Sequence, residues 1–405
     1  MRRSIVIGGV AVALAVGAGL GVLAAGPILP NSGRPVAGAG GSPSPVTSAV
    51  ASPSSTPTPG PTASPTPTPA PTPIPTPTPK PTPVPVAAPL TGRLVPPNVA
   101  KRRAIAIMID DHPDARPQSG FNAASVVWQA PAEGGIPRYM LIFQDQVPGP
   151  VGPVRSARLY YIAWAAEWDA VYGHSGGSPQ ALQTLRDKGN GQLVFNADEF
   201  RWGNVYYHRS KDRFAPHNVY TTGKELRQMA KRIGAVDKPQ KAAWRFAPDA
   251  PLEERPKGGV ISTAYSWNKI TYHYDRKTNA YRRSVNGADP QVDRADGKVV
   301  APKNVVVMLM SFGPLNDGSH KHRLEADFVG SGTAYIATNG HTIKGTWRKD
   351  SITKPTRFFG KDGKPVTLTI GQTFVQVMQK GTTVKIKDGK LPLPPVYLGP
   401  DRDRL

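Results

Sequence analysis

The chain has 405 residues, with 50 Lys and Arg against 28 Asp and Glu, a formal charge of +22 and no cysteine. The lack of Cys excludes disulfides, a thiol nucleophile and Cys-ligated zinc. Only 39% of residues are hydrophobic and 45 are Pro, so part of the chain cannot build a core. The basic excess favours anionic partners such as phosphates, anionic lipids or acidic wall polymers.

Arg2 and Arg3 precede an uncharged stretch whose apolar core runs from Ile5 to Ala25. That order predicts a signal or membrane anchor over 1–31, with all that follows outside the cytoplasmic membrane. The expected location is the outer face of that membrane or the cell wall, and a cleaved signal would leave the protein secreted. No nucleic-acid partner is expected of an exported chain. Residues 32–93 read as a Pro/Thr/Ser-rich linker. Proline fixes φ and removes an N–H donor, so a polyproline II stalk is predicted there.

An α/β segment is predicted over 94–238. Ala104 to Ile109 is a continuous apolar run, the pattern of a buried strand, and it ends in Asp110-Asp111-His112. Ser125 to Gln129, Tyr139 to Phe143 and Ala170 to Tyr172 read as further strands. Leu159 to Trp168 has helical spacing. Ser178 is placed to cap a helix beginning at Pro179, and Thr222 with Glu225 forms a capping box for a helix over 223–233. Residues 239–259 read as a second linker. A mostly β segment is predicted over 260–395, with strands such as Ile270 to Tyr274, Asn304 to Met308 and Thr373 to Val377. Asn286-Gly287, Asn339-Gly340 and Asp388-Gly389 are its hairpin-type turn pairs. Residues 396–405 form a tail. The pattern change near 238–259 predicts two domains with separate cores.

Polar loops follow the predicted strands of the first segment. Arg155 and Arg158 lie three apart at a helix start, where their forks suit phosphate or carboxylate. Arg116 and Arg138 are placed to assist. Gly176, Gly177 and Ser178 open a helix whose N–H groups could face an anion, and Asn218 belongs to the same candidate anion-binding set. Asp110, His174 and His217 are the acid/base candidates. A divalent metal is the one cofactor the residues suggest, with Asp110, Asp111 and His112 as its ligands. The same residues also have bland readings: Arg paired with nearby carboxylates, Ser178 as a simple cap, and histidines bonded into the scaffold.

Several of these motifs, in this order, resemble the YerB-like family of bacterial envelope lipoproteins, a two-part domain of unknown function. They are Ile109 to Pro113 with Ala115 to Gly120, Glu133 to Ile136 with Arg138, Gly152 to Arg158, Gly176 to Ala181 and Ala215 to Asn218. In the C-terminal part, Leu324 to Trp347 and Pro355 to Val377 match. The chain departs from the family in having no lipobox Cys and in carrying Asp111 where Asn is more usual. A looser similarity, to the LytR-CpsA-Psr envelope phosphotransferases, implies that Arg155 grips a polyprenyl pyrophosphate and Asp110 holds a metal. Ser156 stands where that family continues its Arg-Asp pair.

The expected function is an extracytoplasmic, envelope-anchored binding protein for an anionic ligand: a wall polymer, a lipid head group or a protein partner. The alternative is a metal-assisted phosphotransferase or hydrolase acting on a polyprenyl-pyrophosphate-linked glycopolymer. An enzyme requires Asp110, Arg155, His174 and His217 around one deep pocket.

Overall fold

The computed structural model describes residue 60 and residues 83–391, apart from positions 241 and 288. The predicted anchor, nearly all of the stalk and the tail lie outside the described residues. Among the described residues no helix is long and apolar enough to cross a membrane.

In chain order the principal strands are β1 (Ile105–Asp110), β2 (Val126–Ala130), β3 (Arg138–Phe143), β4 (Val171–His174), β5 (Phe195–Asp198), β6 (Lys257–Ala264), β7 (Lys269–Asp275), β8 (Ala280–Val285), β9 (Asn304–Met310), β10 (Gly330–Thr338), β11 (His341–Lys349), β12 (Arg357–Phe359), β13 (Thr373–Gln379) and β14 (Lys385–Lys390). The principal helices are α1 (Leu159–Ala166), α2 (Pro179–Asp187) and α3 (Gly223–Arg232). The first segment is α/β and the second mostly β, as composition and spacing predict.

The two segments nevertheless share one sheet. Its order is β12-β11-β10-β9-β13-β2-β3-β1-β4-β5. Strand β13 lies between β9 and β2 and runs parallel to both, with Thr373 opposite Val126. The expectation of separate cores is therefore corrected. Both β2 and β13 are buried along most of their length, and each satisfies its inner backbone groups through the other. A change of pattern along the sequence marks a change of secondary structure, not the edge of a core.

The sheet is covered on both faces, which explains the unbroken apolar run in β1. Even-numbered β1 residues, Ala106 and Met108, pack with Trp128, Tyr161, Trp164 and Val375 on the α1 side. Trp128 and Trp164 stack there with centroids 4.6 Å apart. Odd-numbered Ile105, Ile107 and Ile109 join Leu226 and Met229 of α3 and Ile261, Ile270 and Tyr272 on the opposite side. A second, four-stranded sheet in the order β8-β7-β6-β14 supplies those last residues.

The helix starts follow their caps. The Ser178 hydroxyl accepts from Ala181 N–H at 3.3 Å, and the Thr222 hydroxyl from Glu225 N–H at 3.2 Å. Asn339-Gly340 turns β10 into β11, with φ of 50° and 78° as a two-residue hairpin requires. Asp388-Gly389, by contrast, lies inside β14. Gly389 is there because its backbone lies against the Gly258 and Lys257 carbonyls, with no room for a Cβ.

Both linker boundaries also shift. Val86–Ala87 pairs with Leu94–Val95, and Leu90 is fully buried, so the fold begins before residue 94. Within 239–259, Trp244 packs on Trp168 and Phe358, and Arg245–Ala247 pairs with Thr367–Thr369. A Pro- and charge-rich composition hid one buried indole and a short strand.

Candidate functional site

Side chains alternate across a strand, and this separates the two aspartates at the end of β1. Asp110 continues the Ala106–Met108 face, while Asp111 turns toward the four-stranded sheet. Asp111 is fully buried. Its Oδ1 accepts from Arg116 at 2.9 Å, and its Oδ2 accepts from Gln129 at 2.6 Å and Asn268 at 2.7 Å. Burial raises its carboxyl above the ordinary value, with Arg116 and Arg283 opposing the shift. It holds β1 to the second segment and has no open side for a metal.

Asp110 lies at the centre of a loop cluster. Segment 152–155 crosses the end of β1, with Asp110 N–H donating to Pro153 O at 3.0 Å and Arg155 N–H to Met108 O at 2.9 Å. That crossing brings Arg155 Nε to 2.9 Å from Asp110 Oδ2. The same carboxylate oxygen meets His217 Nδ1 at 2.7 Å, and Asp110 Oδ1 accepts from His112 N–H at 3.0 Å. The His112 and His217 rings stack, with centroids 4.6 Å apart and planes 18° apart. Asp114 completes the group, its Oδ2 lying 3.4 Å from His112 Nδ1. Arg213 ties the two loops by donating to Asp114 O and Pro117 O. Burial holds the Arg155 guanidinium below its ordinary value, against the pull of Asp110.

The remaining predicted residues do not join this cluster. Glu133 pairs with both Arg138 and Arg158, at 2.9 Å to each. Both guanidiniums are held below their ordinary values by burial. Arg116 is engaged with Asp111 and Asn268. The predicted arginine clamp is thus corrected: Arg116, Arg138, Arg155 and Arg158 each balance a carboxylate of the protein. A pyrophosphate at Arg155 would have to displace Asp110.

His174 is completely buried, with Nδ1 2.8 Å from Gly176 O and Nε2 2.9 Å from Asn196 Oδ1. Both ring nitrogens are occupied, so it is a scaffold residue and not an acid/base. The Gly176-Gly177-Ser178 turn is tied to the segment around Arg155 and Ala157. Ser175 and Ser178 N–H donate to Arg155 O and Ala157 O, and the Ser178 hydroxyl caps α2. Asn218 holds its own loop, accepting from Arg209 at 3.0 Å and donating to Ser210 O and Arg213 O. The cavities of 710 and 550 Å³ are lined elsewhere, the larger by residues such as Asp327, Phe328, Ser331 and Trp347. The deep pocket that an enzyme needs around Asp110, Arg155, His174 and His217 is not among them.

Sequence reasoning passed over a second surface. The inner face of the four-stranded sheet carries Ile261 and Tyr272 in the core, with the partly buried Ile386 packed against it. Alternation then places Lys269, Thr271 and His273 of β7, Arg282 of β8, and Lys385 and Lys387 of β14 on the outer face. The register aligns Lys387, Val260, His273 and Arg282 in one row across the strands. Lys269, His273, Arg282, Lys385 and Lys387 are exposed. Among the described residues, none of the four cations Lys269, Arg282, Lys385 and Lys387 has an ion-pair partner. Asp275 stands at the margin, its carboxylate accepting from the Lys277 and Thr278 N–H groups. A hollow of about 270 Å³ lined by Lys269, Thr271, Asn286 and Gly287 opens on this side. The signal was the alternation Lys385-Ile386-Lys387, which reads as a strand with a basic outer face.

Comparison with known proteins supports the resemblance seen in the motifs. Residues 90–235 match the model described as "Protein of unknown function (DUF3048) N-terminal domain", and residues 261–375 match the corresponding C-terminal domain. The chain is 31% identical over 307 residues to the "Putative lipoprotein YerB" of Bacillus subtilis strain 168, covering 75% of this chain and 89% of that protein. The crystal structure of Bacillus subtilis YerB superposes with a TM-score of 0.65 at 28% identity, covering 74% of this chain and 99% of that one. The relative is named for a lipid-anchored protein, whereas this chain has no Cys to acylate. The chain belongs to the two-part YerB-like family, DUF3048.

Proposed function

We propose that the protein is an extracytoplasmic envelope module that binds a linear polyanion, of the kind a phosphate-bearing wall glycopolymer presents, on the outer face of its four-stranded sheet. The carrying observation is that Lys269, Arg282, Lys385 and Lys387 are gathered on one open face, while Arg116, Arg138, Arg155 and Arg158 face carboxylates of the protein itself. Strands lie about 4.8 Å apart and alternate residues along one strand about 6.7 Å apart, so these cations can meet successive anionic groups of one chain. The +22 charge adds long-range attraction. An anchored stalk would place this face within the wall.

Each Lys beside a densely anionic surface contributes about 1 kcal/mol. Lys385→Glu with Lys387→Glu should therefore weaken binding to a poly(glycerol phosphate) chain by about 30-fold or more. Binding should also fall steeply with salt and be absent for an uncharged polysaccharide. Equal affinity of the wild type and the double variant, or equal binding of the neutral polymer, would refute the proposal.

A further inference from the structure

We propose that His112, Asp114 and His217 form a binding site for a divalent first-row transition cation of the zinc type, with Asp110 orienting His217. The site is distinct from the basic sheet face and does not depend on it.

One ligand atom from each of the three residues lies within 4.8 Å of the others. A four-coordinate zinc ion with bonds of about 2.0–2.1 Å sets its ligand atoms roughly 3.4 Å apart. The His112 Nδ1 to Asp114 Oδ2 separation is already 3.4 Å. Ligand atoms within 4.8 Å of one another close to that spacing by moving about 1.4 Å or less. Side-chain rotation supplies this, because the His112 ring is 31% exposed and the Asp114 carboxylate 73% exposed. The same exposure gives the ion a path in and leaves room for water as a further ligand.

The hydrogen bonding prepares both imidazoles. A carboxylate only accepts, so His217 Nδ1 carries the hydrogen that it donates to Asp110 Oδ2 at 2.7 Å. The Nε2 lone pair is left free to bind a cation. A carboxylate behind a ligating histidine fixes the ring and raises its basicity. Asp110 is itself fixed by Arg155 and the His112 N–H. His112 Nδ1 accepts the Asp114 N–H at 3.3 Å, which makes it the unprotonated nitrogen. A metal would replace that long bond with a stronger one. Two imidazoles and one carboxylate suit zinc and its neighbours better than calcium or magnesium, which prefer all-oxygen shells.

The differences from the sequence-derived set have a physical cause. Asp111 is turned inward by strand alternation, and Asp110 is spent on His217, so Asp114 and His217 take their places. Arg213 bridges the two ligand-bearing loops through Asp114 O and Pro117 O, which holds His217 beside His112 before any ion arrives.

The test uses the full-length, untagged protein, stripped with EDTA and titrated with ZnCl2, with CaCl2 in parallel. The wild type should retain about one equivalent of zinc through gel filtration and gain thermal stability from zinc but not from calcium. His112→Ala and His217→Ala should each lose retained zinc. Asp110→Asn should weaken binding by about 10–100-fold while one equivalent still binds at saturation. Co2+ in place of zinc should show a visible spectrum that His112→Ala abolishes. If His217→Ala does not fold, the partly exposed His112 decides the matter alone. Zinc retention in His112→Ala equal to wild type, or loss of binding in a His320→Ala/His322→Ala control, would overturn the proposal.

Discussion

Replacing Lys349 with methionine tests the claim that the two sequence segments share one interior. Lys349 of β11 and Glu167, just beyond α1, have fully buried side chains and pair at 2.8 Å. The ammonium also donates to Lys354 O at 2.7 Å and Ala163 O at 3.4 Å. Glu167 Oε1 further accepts from the Thr356 hydroxyl, while its Oε2 has no partner. Methionine keeps most of the lysine volume and removes the charge, so the variant strands a buried carboxylate. Breaking a buried pair in this way costs about 3–5 kcal/mol.

The loss should depend on pH, with a definite sign. Burial already raises the Glu167 carboxyl above its ordinary value, and Lys349 is the chief opposing influence. Without the lysine, the folded-state value rises further above the unfolded one. A raised carboxyl pKa carries no penalty below the unfolded value. The penalty then grows by about 1.4 kcal/mol per pH unit as pH climbs toward the folded value. Urea unfolding followed by tryptophan fluorescence should show the full deficit at pH 7.5. At pH 4 it should fall to about 1–3 kcal/mol, the cost of the carbonyl bonds alone. Adding Glu167→Gln should restore most of the loss at pH 7.5. A deficit under about 1 kcal/mol at pH 7.5, or one equal at both pH values, would refute this account.

Gly345→Ala should destabilise the fold by more than about 2 kcal/mol, because a Cβ there overlaps the Phe359 carbonyl oxygen of the neighbouring strand; thermal unfolding checks it. Glu133→Gln should leave Arg138 and Arg158 buried without their counter-ion and cost about 3–5 kcal/mol, read by urea titration, whereas a neutral outcome would mean that the carbonyls of Ser156 and Ala157 suffice to hold them. Trp164→Ala should cost about 3–5 kcal/mol, since its ring is completely buried against Trp128, and calorimetry would show it.

Much of this was legible in local pattern. The apolar run in β1, the Ser178 and Thr222 caps and the Asn339-Gly340 hairpin are set by near neighbours in sequence, so their chemistry can be read directly. The partners of charged side chains could not be read this way. Arg138 and Arg158 look like an anion clamp until Glu133 folds between them, and Asp111 looks like a ligand until strand parity turns it toward Asn268. The place of β13 was equally hidden, because an apolar strand pattern states that a strand is buried but not beside which neighbour. His217 and Asp110 were both singled out, yet their meeting depends on the segment around Pro153 that closes over β1.

The position of β13 also bears on how the protein is made. Gln376 of β13 bonds Gln129 of β2, 247 positions earlier in the chain. Until residues 373–379 emerge, β2 presents an open edge beside an otherwise finished half-sheet, and such edges recruit other strands. During synthesis that edge stays uncovered while the 242 residues between Ala130 and Thr373 are added. The interval is one in which a holding chaperone has something to protect and a protease something to cut. A recombinant fragment ending near residue 260 carries that unfinished edge permanently. It should aggregate when expressed alone and regain solubility on co-expression with residues 261–391.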